Sequence, residues 1–263
     1  RFILGFFVMI GALMFLGCPI RMILRLGGGD LNALFGIAGF AGGIGFGTIF
    51  LKKGYSLQRT YALSKLESAM MPAIQVGLLV LVVVAPAFIF FSQKGPGAMH
   101  APWLISLAAG LVVGGLSQVS RLCTVGGFRD LFLFKKSILI FGYLAVLIGV
   151  FLVNISFGNF HLGFENQPIA HTDGLWNFLG MALAGFCSVL LGGCPLRQLI
   201  MTGEGNSDSA VTVLGLAAGA AFAHNFGLAA SGAGPTLNGQ IAVGVGFVVA
   251  LIIAILNTKR ANA

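Results

Sequence analysis

Eight apolar stretches, each long enough to cross a bilayer, leave this chain almost no other way to fold. They run over about residues 2–17, 31–51, 68–91, 102–120, 136–156, 174–192, 208–230 and 237–256. Roughly 20 apolar residues in a helix traverse about 30 Å of hydrocarbon. Inside lipid only a helix or a closed barrel satisfies every backbone N–H and C=O. A barrel needs alternating segments of about ten residues, and that pattern is absent. Composition agrees: 57% of the chain is hydrophobic and 8% charged, against about 25% charged in a soluble domain. The sequence predicts an all-α, polytopic membrane protein with residues 1–263 as one integral membrane domain. Residues 1–17 lead straight into a second apolar segment, so they read as a transmembrane helix and not a cleaved leader.

Three segments between crossings, 18–30, 121–135 and 193–207, are too long for tight turns and carry Cys, Arg and Gly. They read as re-entrant half-helices. Two open on one motif, Gly17-Cys18-Pro19-Ile20-Arg21 and Gly193-Cys194-Pro195-Leu196-Arg197, offset by 176 residues. Proline lacks an N–H and its φ suits the first helical position. The spacing therefore predicts Cys18 and Cys194 as N-caps. Half-helices follow from Pro19 to Leu26, stopped by Gly27, and from Pro195 to Thr202, stopped by Gly203. Eight residues span only about 12 Å, so each half-helix starts or ends inside the membrane. The segment Arg121-Leu122-Cys123-Thr124-Val125-Gly126-Gly127 places a third cysteine at a break but lacks the proline.

Five crossings separate the two motifs. An odd number points the copies in opposite directions, the parity of an inverted repeat, with approximate halves 1–135 and 136–263. Eight crossings also sort the charges. Of the 15 Lys and Arg residues, all but Arg21, Arg25 and Lys94 fall on the side of the two termini, which predicts cytoplasmic termini. The opposite loop 157–173 holds His161, Glu165, His171 and Asp173 but no Lys or Arg. The net charge of +8 is then topological and not the footprint of nucleic-acid binding.

A helix N-terminus offers unpaired N–H groups and partial positive charge, a ready anion site. Arg21 and Arg197 lie in the first turn, where the helix dipole disfavours a cation. Either an anion is expected beside them, or they snorkel to headgroups or pair with Asp30, Glu204 or Asp208. A thiol is soft, polarizable and a weak donor, suited to an exposed sulfur or selenium atom. That assigns Cys18 and Cys194 to a pore, leaves Cys123 open between pore and packing, and makes Cys187 a small core residue. There is no CxxC pair, and His100, His161, His171 and His224 lack ligand spacing with the cysteines. Gly203-Glu204-Gly205 follows a helix and not a strand, there is no P-loop, and no histidine follows Ser231 on a helix. The expectation is a non-enzyme without cofactor or metal. Gly39/Gly43/Gly47, Gly110/Gly114 and Gly215/Gly219 read as packing seams, Pro86 as a kink, and His224-Asn225 as a cavity lining or a bond to a neighbouring helix.

The two GCPxR breaks, the Arg121–Asp130 segment and the glycine-rich halves resemble the YeeE/YedE family of bacterial sulphur-transport membrane proteins, over most of the chain. The stretches GCPIRMILRLGGGDLNALFG and LGGCPLRQLIMTGEGNSD are most similar to its YedE-like selenium-transporter branch. The resemblance implies a bacterial inner (plasma) membrane protein importing a small sulfur- or selenium-containing anion, related to thiosulfate importers. It implies that Cys18, Cys123 and Cys194 relay the substrate through S–H···S bonds without redox chemistry, beside a TusA-like sulphur-carrier protein. Two alternatives stand next to it: a membrane thiol–disulfide redox protein, and a membrane anchor for a sulphur-carrier complex.

Overall fold

A computed structural model describes residues 1–57, 64–84, 98 and 101–258. The expected kink at Pro86, His100, and the topological charges Arg59, Lys94, Lys259 and Arg260 lie outside the described residues. In chain order the helices are α1 (Phe2–Phe15), α2 (Pro19–Gly27), α3 (Asn32–Lys52), α4 (Lys65–Val84), α5 (Trp103–Val119), α6 (Thr124–Phe134), α7 (Ile138–Ser156), α8 (Gly174–Leu191), α9 (Pro195–Gly203), α10 (Ser207–Asn225) and α11 (Leu237–Leu256). The short α2, α6 and α9 are the three expected breaks. Seven helical stretches among the described residues are long and apolar enough to span a membrane, with α2, α6 and α9 continuing α1, α5 and α8. Helix α10 falls outside that set although it has 19 residues, because Ser207, Asp208, His224 and Asn225 dilute its ends. The chain is an all-α polytopic membrane protein.

Both GCP breaks form as the spacing predicts, with one refinement. Cys18 and Cys194 are extended N-caps, Pro19 and Pro195 open the helices, and Gly27 and Gly203 are the last helical residues, not stops outside them. The turns that follow use Gly29 (φ 99°) and Gly205 (φ 85°). Left-handed backbone costs glycine least, so these are the residues that reverse the chain. The preceding helices end alike, with Leu16 and Gly192 both left-handed.

Helices α1, α3, α8 and α10 pack backbone to backbone. A Cβ on Gly39 would strike the carbonyl oxygen of Phe178, and one on Gly43 that of Ala182. Likewise Gly215 lies against Phe2 O and Gly219 against Phe6 O. Adding 176 to 39 gives 215, and subtracting 176 from 178 gives 2. The second contact is the first with its partners exchanged. Helices α1 and α8 run antiparallel, since His171 meets Met14 while Ala184 meets Gly11. Small residues here let helices approach without side chains between them. At Gly110 and Gly114 no described residue lies within 4 Å of an added Cβ, so this pair makes no helix contact among the described residues. His224 and Asn225 are exposed, and Asn225 Nδ2 donates to Ala221 O of its own helix at 2.7 Å. The expectation that they bond a neighbouring helix or line a cavity is corrected: the amide finds a carbonyl one turn back.

Contacts sort the segments into two ends. At one, Arg1 pairs with Asp208 at 2.8 Å and Tyr55 bridges Thr258. At the other, Gly163 N–H donates to Gly29 O and His161 N–H to Gly28 O, so the 157–173 loop is strapped over the α2–α3 turn. This division is the one the expected crossings require.

His171 closes that second end. It is buried, and its Nε2 lies 2.8 Å from Met14 O, so the ring donates through Nε2. Burial lowers its pKa below the usual imidazole range. In the unfolded chain the ring takes a proton near pH 6.5, while the folded protein resists it. Stability is therefore complete above about pH 6.5 and declines as pH falls below it, by roughly 1 kcal/mol per unit. Thermal unfolding in detergent across that range is expected to show the decline, and His171→Gln to flatten it.

Candidate functional site

Each of the three short helices starts on a cysteine: Cys18 caps α2, Cys123 caps α6 and Cys194 caps α9. Cys123 Sγ accepts from Gly126 N–H at 3.3 Å. The Cys123 and Cys194 thiols are within hydrogen-bonding reach of each other. Cys194 Sγ also faces the backbone N–H groups of Thr124 and Arg197, so the N-termini of α6 and α9 converge on it. Tyr143 of α7 donates its hydroxyl to Pro19 O at 2.8 Å and stands in the electrostatic field of Cys18, Cys123 and Cys194. Tyr143 thus ties the start of α2 to the neighbourhood of the other two cysteines. Cys194 is 1% exposed, while Cys18 and Cys123 are half-buried. Phe15, Met22, Phe40 and Val125 pack in the same cluster as Cys194, so apolar side chains enclose the Cys194 thiol. All four cysteines are free. Cys187, on α8, is fully buried in the core, as expected.

Arg21 stands beside this cluster, in a cavity of about 440 Å³ shared with Arg25, Asp30, Asn154, His161 and Gln167. Arg25 holds the wall together. Its Nε donates to Asp30 Oδ2 and its Nη1 to Phe15 O, both at 2.6 Å, and its guanidinium sits 4.0 Å from the Phe15 ring centre. Phe15 is the last residue of α1, where free carbonyls attract a cation. Asp30 Oδ1 accepts from the backbone and side-chain amides of Asn32 at 2.9 Å. Asp30 thus pairs with Arg25 and not with Arg21, and Arg21 Nε and Arg25 Nη2 are buried without a partner. Two guanidiniums against one carboxylate leave this wall positive. Sequence reasoning placed Arg21 but missed Arg25. The signal was its place four residues on, on the same helical face.

The second motif is built differently. Arg197 lies half-buried, and its Nη1 donates to Gln118 Oε1 at 2.8 Å. Gln118 in turn donates to Glu204 Oε1. Glu204 offsets Arg197 through an intervening amide, and Asp208 is taken by Arg1. The expected pairing partners of the two arginines are therefore used by neighbours or reached indirectly. Pro19 is buried and Pro195 half-buried, each fixing its helix start. Among the described residues no group of three or more His, Cys, Asp or Glu gathers to hold a metal ion.

A family model described as Sulphur transport matches residues 119–259, more than half of the chain. The matched region includes Cys123, Tyr143, Pro195, Cys194 and Arg197; Cys18, Pro19 and Arg21 precede it. No curated protein and no solved structure matches the chain.

Proposed function

The chain belongs to the sulphur transport family, and on that premise we propose that it imports a small anion with an exposed sulfur or selenium atom, thiosulfate-like or a selenium compound, across a bacterial inner membrane. Cys18, Cys123 and Cys194 line the path. The observation that carries this reading is that three half-helices each start on a cysteine, with the Cys123 and Cys194 thiols in reach of each other and Tyr143 bonded to the start of α2. Helix N-termini stabilise negative charge without a counter-ion, and thiols offer a soft surface to a chalcogen. Arg21 and Arg25, with amides around them, draw the anion into the outer cavity. Arg197, already offset by Gln118 and Glu204, holds it less firmly at the inner side, which favours release. The termini face the cytoplasm in this reading, where a TusA-like sulphur carrier receives the product. The 176-residue exchange of glycine contacts between antiparallel α1–α3 and α8–α10 supports an inverted repeat. No step requires catalysis or a cofactor.

Proteoliposomes containing this chain alone test the reading. Labelled thiosulfate uptake is expected, blocked by excess unlabelled selenosulfate or selenite and not by sulfate. Failure of the chain to take up labelled thiosulfate or labelled selenite overturns transport and leaves the anchoring role. Thiol mass spectrometry separates the redox reading, which requires a reversible Cys123–Cys194 disulfide.

A further inference from the structure

The cysteine cluster contains one polar group that neither packing nor transport by thiols accounts for. Thr124 is the first residue of α6, directly after the Cys123 cap, and is 1% exposed. Its Oγ1 is buried and makes no hydrogen bond of acceptable geometry. Buried hydroxyls normally find a partner, and threonines within helices find one in the carbonyl a turn back. Thr202 donates to Gln198 O at 2.7 Å, Thr212 to Asp208 O at 3.0 Å and Thr258 to Ala254 O at 2.7 Å. At the first helical position Thr124 has no helical carbonyl behind it. Its polar neighbours are Cys194 Sγ and Tyr143 Oη, either of which can accept from it, while the tyrosine's own proton goes to Pro19 O. The Thr124 hydroxyl is thus a buried donor with no well-formed bond, able to exchange its loose contacts with Cys194 and Tyr143 for a better acceptor.

We propose that Thr124 is a specificity-determining residue of the cysteine cluster: its hydroxyl donates to an oxygen of the passing anion while the thiols hold the sulfur or selenium. The inference rests on the transport reading and narrows its substrate class. The carried species is a chalcogen oxyanion that presents a soft atom and an oxygen together. An anion offering sulfur alone leaves the hydroxyl unpaired, and one offering oxygen alone leaves the thiols without a soft partner. A site built to hydrogen-bond one substrate atom discriminates against analogues lacking it.

Thr124→Val keeps the shape and removes the hydroxyl; Thr124→Ser keeps the hydroxyl. In proteoliposomes, Thr124→Val is expected to lower labelled thiosulfate uptake about tenfold, the loss of one hydrogen bond to a charged group. Thr124→Ser is expected to stay within about twofold of the parent. Thiocyanate, which carries sulfur and no oxygen, serves as competitor. Its inhibition is expected to be unchanged by Thr124→Val, and thiocyanate that fails to compete even with the parent also supports the inference, since oxygen is then required. Parent-like thiosulfate uptake by Thr124→Val overturns it. So does equal loss in both variants, or equal weakening of thiosulfate and thiocyanate, because either marks a packing role. Absence of both labelled thiosulfate and labelled selenite uptake by the parent protein is a different result and overturns the transport reading itself.

Discussion

Cys194→Ala is expected to bring uptake of a sulfur anion down by on the order of 100-fold, about 2.7 kcal/mol of barrier, with the protein still folded and membrane-inserted. The separation of function from fold follows from the cap geometry. Cys194 makes no side-chain cap bond to its helix of hydrogen-bond quality, and Pro195 fixes the helix start. Alanine therefore removes the soft atom at the meeting point of α6 and α9 while leaving α9 intact. Cys123 differs, because its sulfur accepts from Gly126 N–H. Alanine there also removes a cap, which costs about 1 kcal/mol in comparable helices. Cys123→Ser is the cleaner variant: it retains a capping atom and loses the thiol. Labelled uptake alongside thermal unfolding of the purified variants measures both effects. Uptake at parental levels by Cys194→Ala removes the thiol relay from consideration.

The largest expected loss of stability belongs to Asp30→Ala. The Arg25–Asp30 side chains are 5% and 3% exposed, so truncation of the carboxylate leaves a guanidinium buried without its counter-charge. Removing one member of such a pair costs about 3–5 kcal/mol. The same change strips both amides of Asn32 of their acceptor and loosens the start of α3. Asp30→Asn is expected to be intermediate, since it keeps an acceptor for Asn32 but not the charge. Replacing both members, Arg25→Met with Asp30→Leu, is expected to recover about half of the loss, because a buried pair is worth little more than the apolar groups that fit its space. Glu204→Ala serves as the exposed contrast, with less than about 1 kcal/mol expected. Thermal unfolding in one detergent ranks the four variants.

The elements of this protein that rest on local chemistry were legible in its sequence. Proline after cysteine, with glycines eight to ten residues on, marks α2 and α9 because each residue acts on its own backbone. Apolar length marks the long helices, and Cys187 reads as core because nothing polar surrounds it. What required the fold was partner choice. Asp30 is equally plausible for Arg21 or Arg25 along the chain, and only the α1 C-terminus, reached through Phe15 O, selects Arg25. The convergence of α6 and α9 on one thiol pair joins residues 71 positions apart, with no periodicity to announce it. Gly110 and Gly114 carry the same spacing as the working seams, yet spacing does not say what stands opposite.

Where a carbonyl oxygen of one helix rests directly on a glycine of the next, there is no side chain to rotate and so no compliance. Helices α1, α3, α8 and α10 are joined in this way at four points related by one exchange. They form a stator. Sliding either pair by a fraction of a turn would drive backbone into backbone at both members of an exchanged set at once. In the proposed transport cycle the elements left to move are the half-helices α2 and α9, which join their neighbours at the left-handed residues Leu16 and Gly29, and Gly192 and Gly205.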